Sequence, residues 1–336
     1  MARSFWLEVA MGRSISIRSD RLALLLRPIS SLLIVTHNNP DPDAIGAALG
    51  LARLARAFRV DARIYYGGLI GRPETKRMVA LLKIRRLIEK RPRLSEYDAI
   101  GFVDCQAEGD NHPLPGIKAY LEIDHHPRIR KGGAKFSLVD SRVGATSTII
   151  TELITQLRIG LSPLVATGLF YGIKSDTRNL SRGATNRDIK AYSHLFPLVD
   201  KRKLARIENP ERSRLYYRLL TQGLRRSRIC GNFAHLRLGP VENLSIIPEL
   251  ADLLIDIKGV SISLVLGEKD GVVHFSIRTR GHQINAGRLA QFIAGSGGAG
   301  GHEEMGGGRI PLPESRGIIS KVKQILRLKG EDHPLI

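Results

Sequence analysis

Cysteine is nearly absent. The 336-residue chain holds two, Cys105 and Cys230, and neither sits in a CxxC spacing. That argues against a zinc ribbon or a dithiol redox motif and fits two reduced, partly buried thiols. No apolar run approaches the ~20 residues that a membrane span needs. The first segment, Met1–Ala10, imitates a secretory signal only weakly, because its apolar stretch is short and broken by Glu8. The expectation is a cytoplasmic chain whose first residues are disordered. Acidic residues are in deficit, 32 against 52 basic ones, for a net charge of +20. Such an excess favours anionic partners: nucleic acid, nucleotides or an acidic membrane surface. Charge alone does not choose among them.

What is present is enough apolar material, 43% of residues, for real cores. The length is comfortable for two domains. Through the first 200 residues, strand-like and helix-like segments alternate. Ser31–Thr36 reads as a buried strand, followed by a helix over Ala44–Phe58 that Asp43 would cap. Val60–Tyr66, Ala99–Asp104 and Tyr120–Ile123 read as further strands. Arg77–Leu87, Thr146–Leu157 and Leu164–Ile173 read as helices. This βαβ rhythm predicts an α/β fold with a mainly parallel, helix-covered sheet.

Residues 201–228 break the rhythm with ten Lys or Arg and two Glu. They read as a basic linker, helical in part, either a solvated charged face or a phosphate-facing one. From residue 229 to 336 the pattern becomes that of a smaller α+β domain. Strands are expected at Phe233–Leu238, Ser261–Leu266 and Val272–Thr279, with a hairpin signal in the tetrad Glu268-Lys-Asp-Gly271. Helices are expected at Ile247–Ile257, Ala286–Ile293 and Ile318–Leu328. Between them lies a loop, Gly295–Gly308, with eight glycines in fourteen residues.

Chemistry-bearing side chains cluster where strands end. His37, Asp41 and Asp43 follow the first strand, Asp104 ends the third, and Asp124-His125-His126 close the fourth. Asp176 follows a predicted helix. Carboxylates and imidazoles gathered at the carboxyl ends of strands can hold divalent ions, and oxygen-rich sets suit Mn²⁺ or Mg²⁺. Taken singly, Asp104 or Asp176 would pass for a cap or turn residue. Gly144-Ala-Thr-Ser147 at a helix start could meet an anion through backbone donors, although a plain helix cap explains it as well.

His37-x-x-x-Asp41-x-Asp43, Asp104, the triplet Asp124-His125-His126 and Asp176 resemble, in order, the motifs of the DHH phosphoesterase superfamily. Gly300-Gly301-His302 resembles the signature loop of its DHH-associated C-terminal domain. The match spans roughly residues 30–312 and is most similar to the branch that hydrolyses short oligonucleotides (nanoRNA) and phosphoadenosine phosphate. The resemblance implies a catalytic domain over 1–200 and a substrate-binding domain over 229–336. It implies two divalent ions, Mn²⁺ preferred and Mg²⁺ acceptable. His37 and Asp41 would hold one, Asp43 and His125 the other, and Asp104 and Asp176 would bridge or complete the pair. Asp124 would support the ligand histidine and His126 would face the phosphate or leaving oxygen. Arg278, Arg280, Gly300, Gly301, His302 and Arg178 would hold the substrate, a short single-stranded RNA or DNA or a nucleotide. No membrane partner is implied, and the oligomeric state stays open, a homodimer included.

The chain departs from the resembled pattern in two places. Glu303-Glu304 follow Gly-Gly-His, and Arg178-Asn179-Leu180 follow Asp176-Thr177. Other superfamily chemistries compete: single-strand exonuclease, cyclic-dinucleotide phosphodiesterase and pyrophosphatase. A non-catalytic nucleic-acid-binding protein is the alternative from another class, but it should have lost ligands, and none is lost.

Overall fold

The computed structural model describes residues 17–130, 132–281, 284–295, 298–301 and 303–336. The first segment, expected to be disordered, and His302 lie outside them. The chain divides into two compact units, residues 1–210 and 211–336. The basic segment 201–228 is not a free connector. Its first helix, α7 (Lys201–Glu208), packs within unit one against α3 (Pro73–Leu81) and α5 (Pro163–Asp176). Its second, α8 (Arg214–Arg226), packs within unit two.

Unit one is built on a five-stranded parallel sheet in the order β2-β1-β3-β4-β5. The strands are β1 (Ser31–Val35), β2 (Asp61–Tyr65), β3 (Ala99–Val103), β4 (Leu121–Asp124) and β5 (Phe136–Val139). Alternation sends Leu32 and Ile34 to one face, into a core shared with α1 (residues 17–26), α2 (Pro42–Ala57), α4 (Thr146–Gln156) and α5. Leu33, Val35 and Phe102 point to the other face, where Leu94, Tyr97, Leu114 and Ala119 cover them. This strand order reverses direction between β1 and β3. In open parallel sheets, the crevice at the carboxyl ends of the strands flanking such a reversal is where ligands collect. His37 and Asp104 follow those two strands.

Helices α2 and α5 approach closely because glycine faces glycine. A Cβ on Gly46 would stand 2.5 Å from the Gly168 carbonyl oxygen, and one on Gly172 would stand 2.8 Å from Asp43 Oδ1. The four-residue spacings Gly46–Gly50 and Gly168–Gly172 put these contacts on one face of each helix. The result carries Asp43, in the first turn of α2, toward the end of α5 that bears Asp176.

Unit two is a seven-stranded sheet ordered β10-β11-β9-β8-β7-β6-β12. Its longer strands are β7 (Phe233–Pro240), β8 (Ile262–Lys269), β9 (Val272–Thr279) and β11 (Met305–Pro311). Short strands β6 (Arg228–Cys230), β10 (Ala299–Gly301) and β12 (His333–Pro334) flank them. Among the described residues only β7 and β8 of this sheet pair in parallel; the other neighbours are antiparallel. Asp270 and Gly271 turn between β8 and β9 with φ of 52° and 75°, the left-handed pair that a two-residue hairpin turn demands. One face packs on α10 (Ala286–Ala294) and α11 (Ile318–Ile325), the other on α8 and α9 (Ile246–Ile255).

Candidate metal centre

Asp41, not Asp43, caps α2. Pro42 starts the helix, and Asp41 Oδ1 accepts hydrogen bonds from the Asp43 and Ala44 amides at 2.9 and 3.0 Å. Pro at the first helical position needs no amide partner, so the cap falls one residue before it. Asp43 is fully buried and serves a second helix. Its carboxylate accepts the Thr146 amide at 2.6 Å and the Ser147 amide at 3.0 Å, at the N-terminus of α4. The Gly144 amide is taken as well, by both oxygens of Asp188 at 3.0 Å. The Gly144–Ser147 segment is therefore a carboxylate-capped helix start rather than an anion site.

His37 leaves β1 with Nδ1 donating to the Asn38 carbonyl at 2.9 Å, which turns Nε2 toward the carboxylates. Nε2 lies 3.5 Å from Asp104 Oδ2 and 3.9 Å from Asp41 Oδ1. Asp104 leaves β3 at φ 58°, a left-handed conformation that Asp tolerates better than bulkier residues, and is 2% exposed. Its Oδ1 accepts the Thr146 hydroxyl at 2.7 Å and stands 3.7 Å from His125 Nε2. His125 Nε2 is in turn 3.2 Å from Asp176 Oδ2.

The six expected ligands therefore fall into two sets of three. His37, Asp41 and Asp104 offer ligand atoms all within 4.8 Å of one another, and so do Asp43, His125 and Asp176. A third set, Asp104 with His125 and His126, connects them.

Electrostatics mark the cluster as short of positive charge. Burial pushes the His37 imidazole down, but the Asp104 and Asp41 carboxylates outweigh it and hold its pKa well above the usual value. Burial likewise lowers His125, and Asp176, Asp104 and Asp43 more than reverse it. Asp43 is held well above the carboxylate range by burial and then by the Asp104 and Asp176 charges. Asp176 is raised by burial and Asp41.

These residues fit a divalent pair. Among the described residues His125 Nε2 is buried without a hydrogen-bond partner, despite the nearby carboxylates. The donors are four carboxylates and two imidazoles, and Cys105 Sγ is aimed elsewhere, at the Val35 carbonyl. Hard oxygen donors with a little imidazole suit Mn²⁺ or Mg²⁺.

The triplet is wired differently from the expectation. Asp124 supports His126 rather than His125: its Oδ1 is 2.8 Å from His126 Nδ1 and 3.2 Å from the His126 amide. Successive residues leaving a strand point to opposite sides, so Asp124 shares a side with His126. The His125 amide donates to the Thr146 hydroxyl at 3.2 Å instead. Sequence reasoning also missed Gln106. Its Nε2 donates to Asp124 Oδ2 at 2.7 Å and to the Pro127 carbonyl at 3.0 Å, and its Oε1 accepts the Ile129 amide at 2.9 Å. The only signal was its place two residues after Asp104.

The expected substrate residues are more scattered. Arg178 opens a turn in which it, Asn179 and Leu180 all take left-handed φ, 44°, 59° and 64°, directly after the α5 end. Arg278 is 5% exposed, and its guanidinium donates to Asp252 Oδ1 at 2.6 Å, the Ser276 hydroxyl at 2.7 Å and the Ile277 carbonyl at 2.9 Å. That inward commitment opposes a direct substrate contact. Arg280 is exposed and reaches Asp256 at 2.8 Å. Gly300 and Gly301 form β10, paired with Gly307 and Gly306 of β11. A Cβ on Gly301 would stand 2.2 Å from the Met305 carbonyl oxygen, so the described part of the glycine-rich stretch is a tightly packed ladder.

Comparison with known proteins places both units. Residues 31–173 match the DHH family N-terminal domain and residues 231–328 match the DHHA1 domain. An uncharacterized protein of Methanocaldococcus jannaschii is 36% identical over 292 residues, 86% of this chain; the chain spans 60% of that relative's length. The bifunctional oligoribonuclease and PAP phosphatase NrnA of Thermus thermophilus is 28% identical over 289 residues, 83% of this chain and 84% of its own. In fold, an exopolyphosphatase-related protein of Bacteroides fragilis superposes with a TM-score of 0.74 at 20% identity, covering 93% of this chain and 98% of its own. The chain belongs to the DHH family, with a DHH domain followed by a DHHA1 domain.

Proposed function

We propose that the protein is a metal-dependent phosphoesterase that hydrolyses short single-stranded oligonucleotides and removes the 3′-phosphate of phosphoadenosine phosphate. The observation that carries this reading is the pair of ligand triads, His37–Asp41–Asp104 and Asp43–His125–Asp176, joined through the 3.7 Å approach of Asp104 to His125. The first triad would hold one divalent ion and the second the other, Mn²⁺ in preference to Mg²⁺. When bound, such a pair supplies a water-derived nucleophile near neutral pH and offsets charge on the transferring phosphoryl group.

The chain's own groups do the rest. Thr146 fixes Asp104 through its hydroxyl and Asp43 through its amide, so the two triads share one rigid support. His126, oriented by Asp124 and through it by Gln106, is the group assigned to donate a hydrogen bond to the phosphate or the leaving oxygen. Arg280 and the Gly300–Gly301 ladder, with His302, are the assigned substrate contacts of the DHHA1 unit. Arg280 can exchange Asp256 for a phosphate, whereas Arg278 serves to hold the end of β9 against Asp252. The net charge of +20 supports an anionic substrate. The resemblance to a bifunctional oligoribonuclease and PAP phosphatase supports the substrate class.

The test is a side-by-side panel with Mn²⁺: a dinucleotide, a five-nucleotide RNA, a five-nucleotide DNA, phosphoadenosine phosphate, a cyclic dinucleotide and pyrophosphate. The reading expects the dinucleotide and five-nucleotide RNA to be cleaved fastest. Preference for the cyclic dinucleotide or for pyrophosphate would replace it.

A further inference from the structure

Helix α8 is amphipathic in an unusual sense. One side carries Tyr216, Leu219 and Leu220, which pack on the α9 side of the sheet in unit two. Gly223 lies on the same side, where a Cβ would stand 3.0 Å from Leu250 Cδ1. The other side is a basic stripe. Arg214, Arg218, Thr221 and Arg225 recur at helical spacing, with Tyr217 beside them, and all five are exposed, Tyr217 by 57%. At ~1.5 Å per residue the three arginines span about 16 Å along one line. Among the described residues none of the three is ion-paired to a carboxylate. Elsewhere in the unit Arg212, Arg278 and Arg280 all are, with Glu249, Asp252 and Asp256.

Three guanidinium groups in a row without acids call for a polyanion, and an exposed tyrosine among them offers a face on which a base can stack. Basic tracking of a backbone combined with aromatic stacking is how single strands are bound without sequence preference. An anionic membrane would share the charge but needs a broad apolar face to insert; Tyr216, Leu219 and Leu220 of α8 are committed to the unit's core, which leaves only Leu215 and Tyr217 as its exposed large apolar side chains among the described residues.

We propose that the outer face of α8 is a binding surface for single-stranded nucleic acid. The proposal rests on the reading that the substrate is nucleic acid, but it concerns a surface separate from the metal cluster. Binding there would add affinity for single strands, and the turnover of a dinucleotide at the metal cluster would not depend on it.

The test measures binding of the full-length protein to a fluorescent fifteen-nucleotide single strand by anisotropy across a salt series, with EDTA present so that no hydrolysis intrudes. Arg214→Gln/Arg218→Gln/Arg225→Gln should lower the slope of log affinity against log salt by about 2, since each phosphate contact on a single strand contributes ~0.7. Tyr217→Ala should weaken binding at fixed salt by about tenfold and leave the slope unchanged. Dinucleotide turnover of the triple variant, with Mn²⁺, should equal that of the unaltered protein. An unchanged slope and affinity in the triple variant would return the stripe to an ordinary solvated face. Loss of binding to phosphatidylserine vesicles, with single-strand binding retained, would reassign the face to a membrane. Absence of turnover on every substrate would overturn the enzymatic reading while leaving this binding result to stand.

Discussion

Replacing Gly172 by alanine should damage the metal centre far more than the fold. A Cβ there would stand 2.3 Å from Ser147 Oγ and 2.8 Å from Asp43 Oδ1, well inside ordinary contact. Ser147 can rotate its hydroxyl away, because that oxygen makes no hydrogen bond among the described residues. Asp43 cannot yield so easily, since its two oxygens are fixed by the Thr146 and Ser147 amides. Alanine in place of a helical glycine contributes up to ~1 kcal/mol of helix stability. Overpacking costs ~1–3 kcal/mol, so the net loss is at most about 3 kcal/mol. Displacing Asp43 by several tenths of an ångström acts instead on the second triad, and misplacements approaching 1 Å cost on the order of 100-fold in rate. Gly50→Ala is the control. Its Cβ would meet the hydrocarbon ends Ile150 Cγ2 at 2.6 Å and Leu169 Cδ2 at 2.7 Å, and Gly50 lies about two turns along α2 from Asp43. Urea unfolding and steady-state kinetics on a short oligonucleotide should show similar stability losses for both variants and a rate loss for Gly172→Ala alone. Equal rate losses would mean that the helix contact acts through general packing and not through Asp43.

Three further outcomes follow from other parts of unit one. Burial, and then the Glu108 charge, lift the Glu122 carboxyl from its ordinary 4.5 to about 7. A folded pKa above the unfolded one means that the stability is whole below pH ~4.5, falls as pH rises toward 7 and is flat beyond. Glu122→Gln should therefore match the parent at pH 4 and exceed it at pH 8 by up to roughly 3 kcal/mol, measured by urea unfolding at both pH values. A gain of equal size at both would deny the titration. Gln106→Leu, which frees Asp124 from its buried donor, should lower kcat about 10–100-fold with metal content and KM retained; a loss of bound metal would place Gln106 with the ligands instead. Chelation should abolish turnover, and Mn²⁺ should restore it to the unaltered protein but not to Asp104→Ala.

Much of this was legible in the sequence because the ligands lie in short runs at strand ends. The parallel order and helical cover followed from the βαβ rhythm, and the Asp270-Gly271 hairpin followed from its turn chemistry. What escaped is what depends on distant partners. Asp188 meets Gly144 from 44 positions away, and no local pattern announces it. Asp43 was expected to cap its own helix, yet Pro42 was a usable sign that the cap belonged to Asp41. Strand β11 was read as loop because Gly306, Gly307 and Gly308 have poor strand propensity. Tertiary packing decides it: a Cβ on Gly306 would stand 2.3 Å from the Ala286 carbonyl oxygen, so only glycine lets α10 close on the strand. Strand β5 and helix α6 (Asn186–Leu195) went unread, the latter held by the Thr185–Asp188 capping box rather than by a strong apolar face. Arg278 followed a pattern to a buried ion pair, because sequence position does not reveal which way a strand residue points.

Whether the two triads form one paired metal centre can be read from electron paramagnetic resonance of the protein titrated with Mn²⁺. Two ions per chain are expected, giving the spectrum of an exchange-coupled pair. In Asp104→Asn the coupling should be lost and one ion should bind more weakly. A single isolated Mn²⁺ at saturation, or a coupled pair that survives the removal of Asp104, would contradict the account.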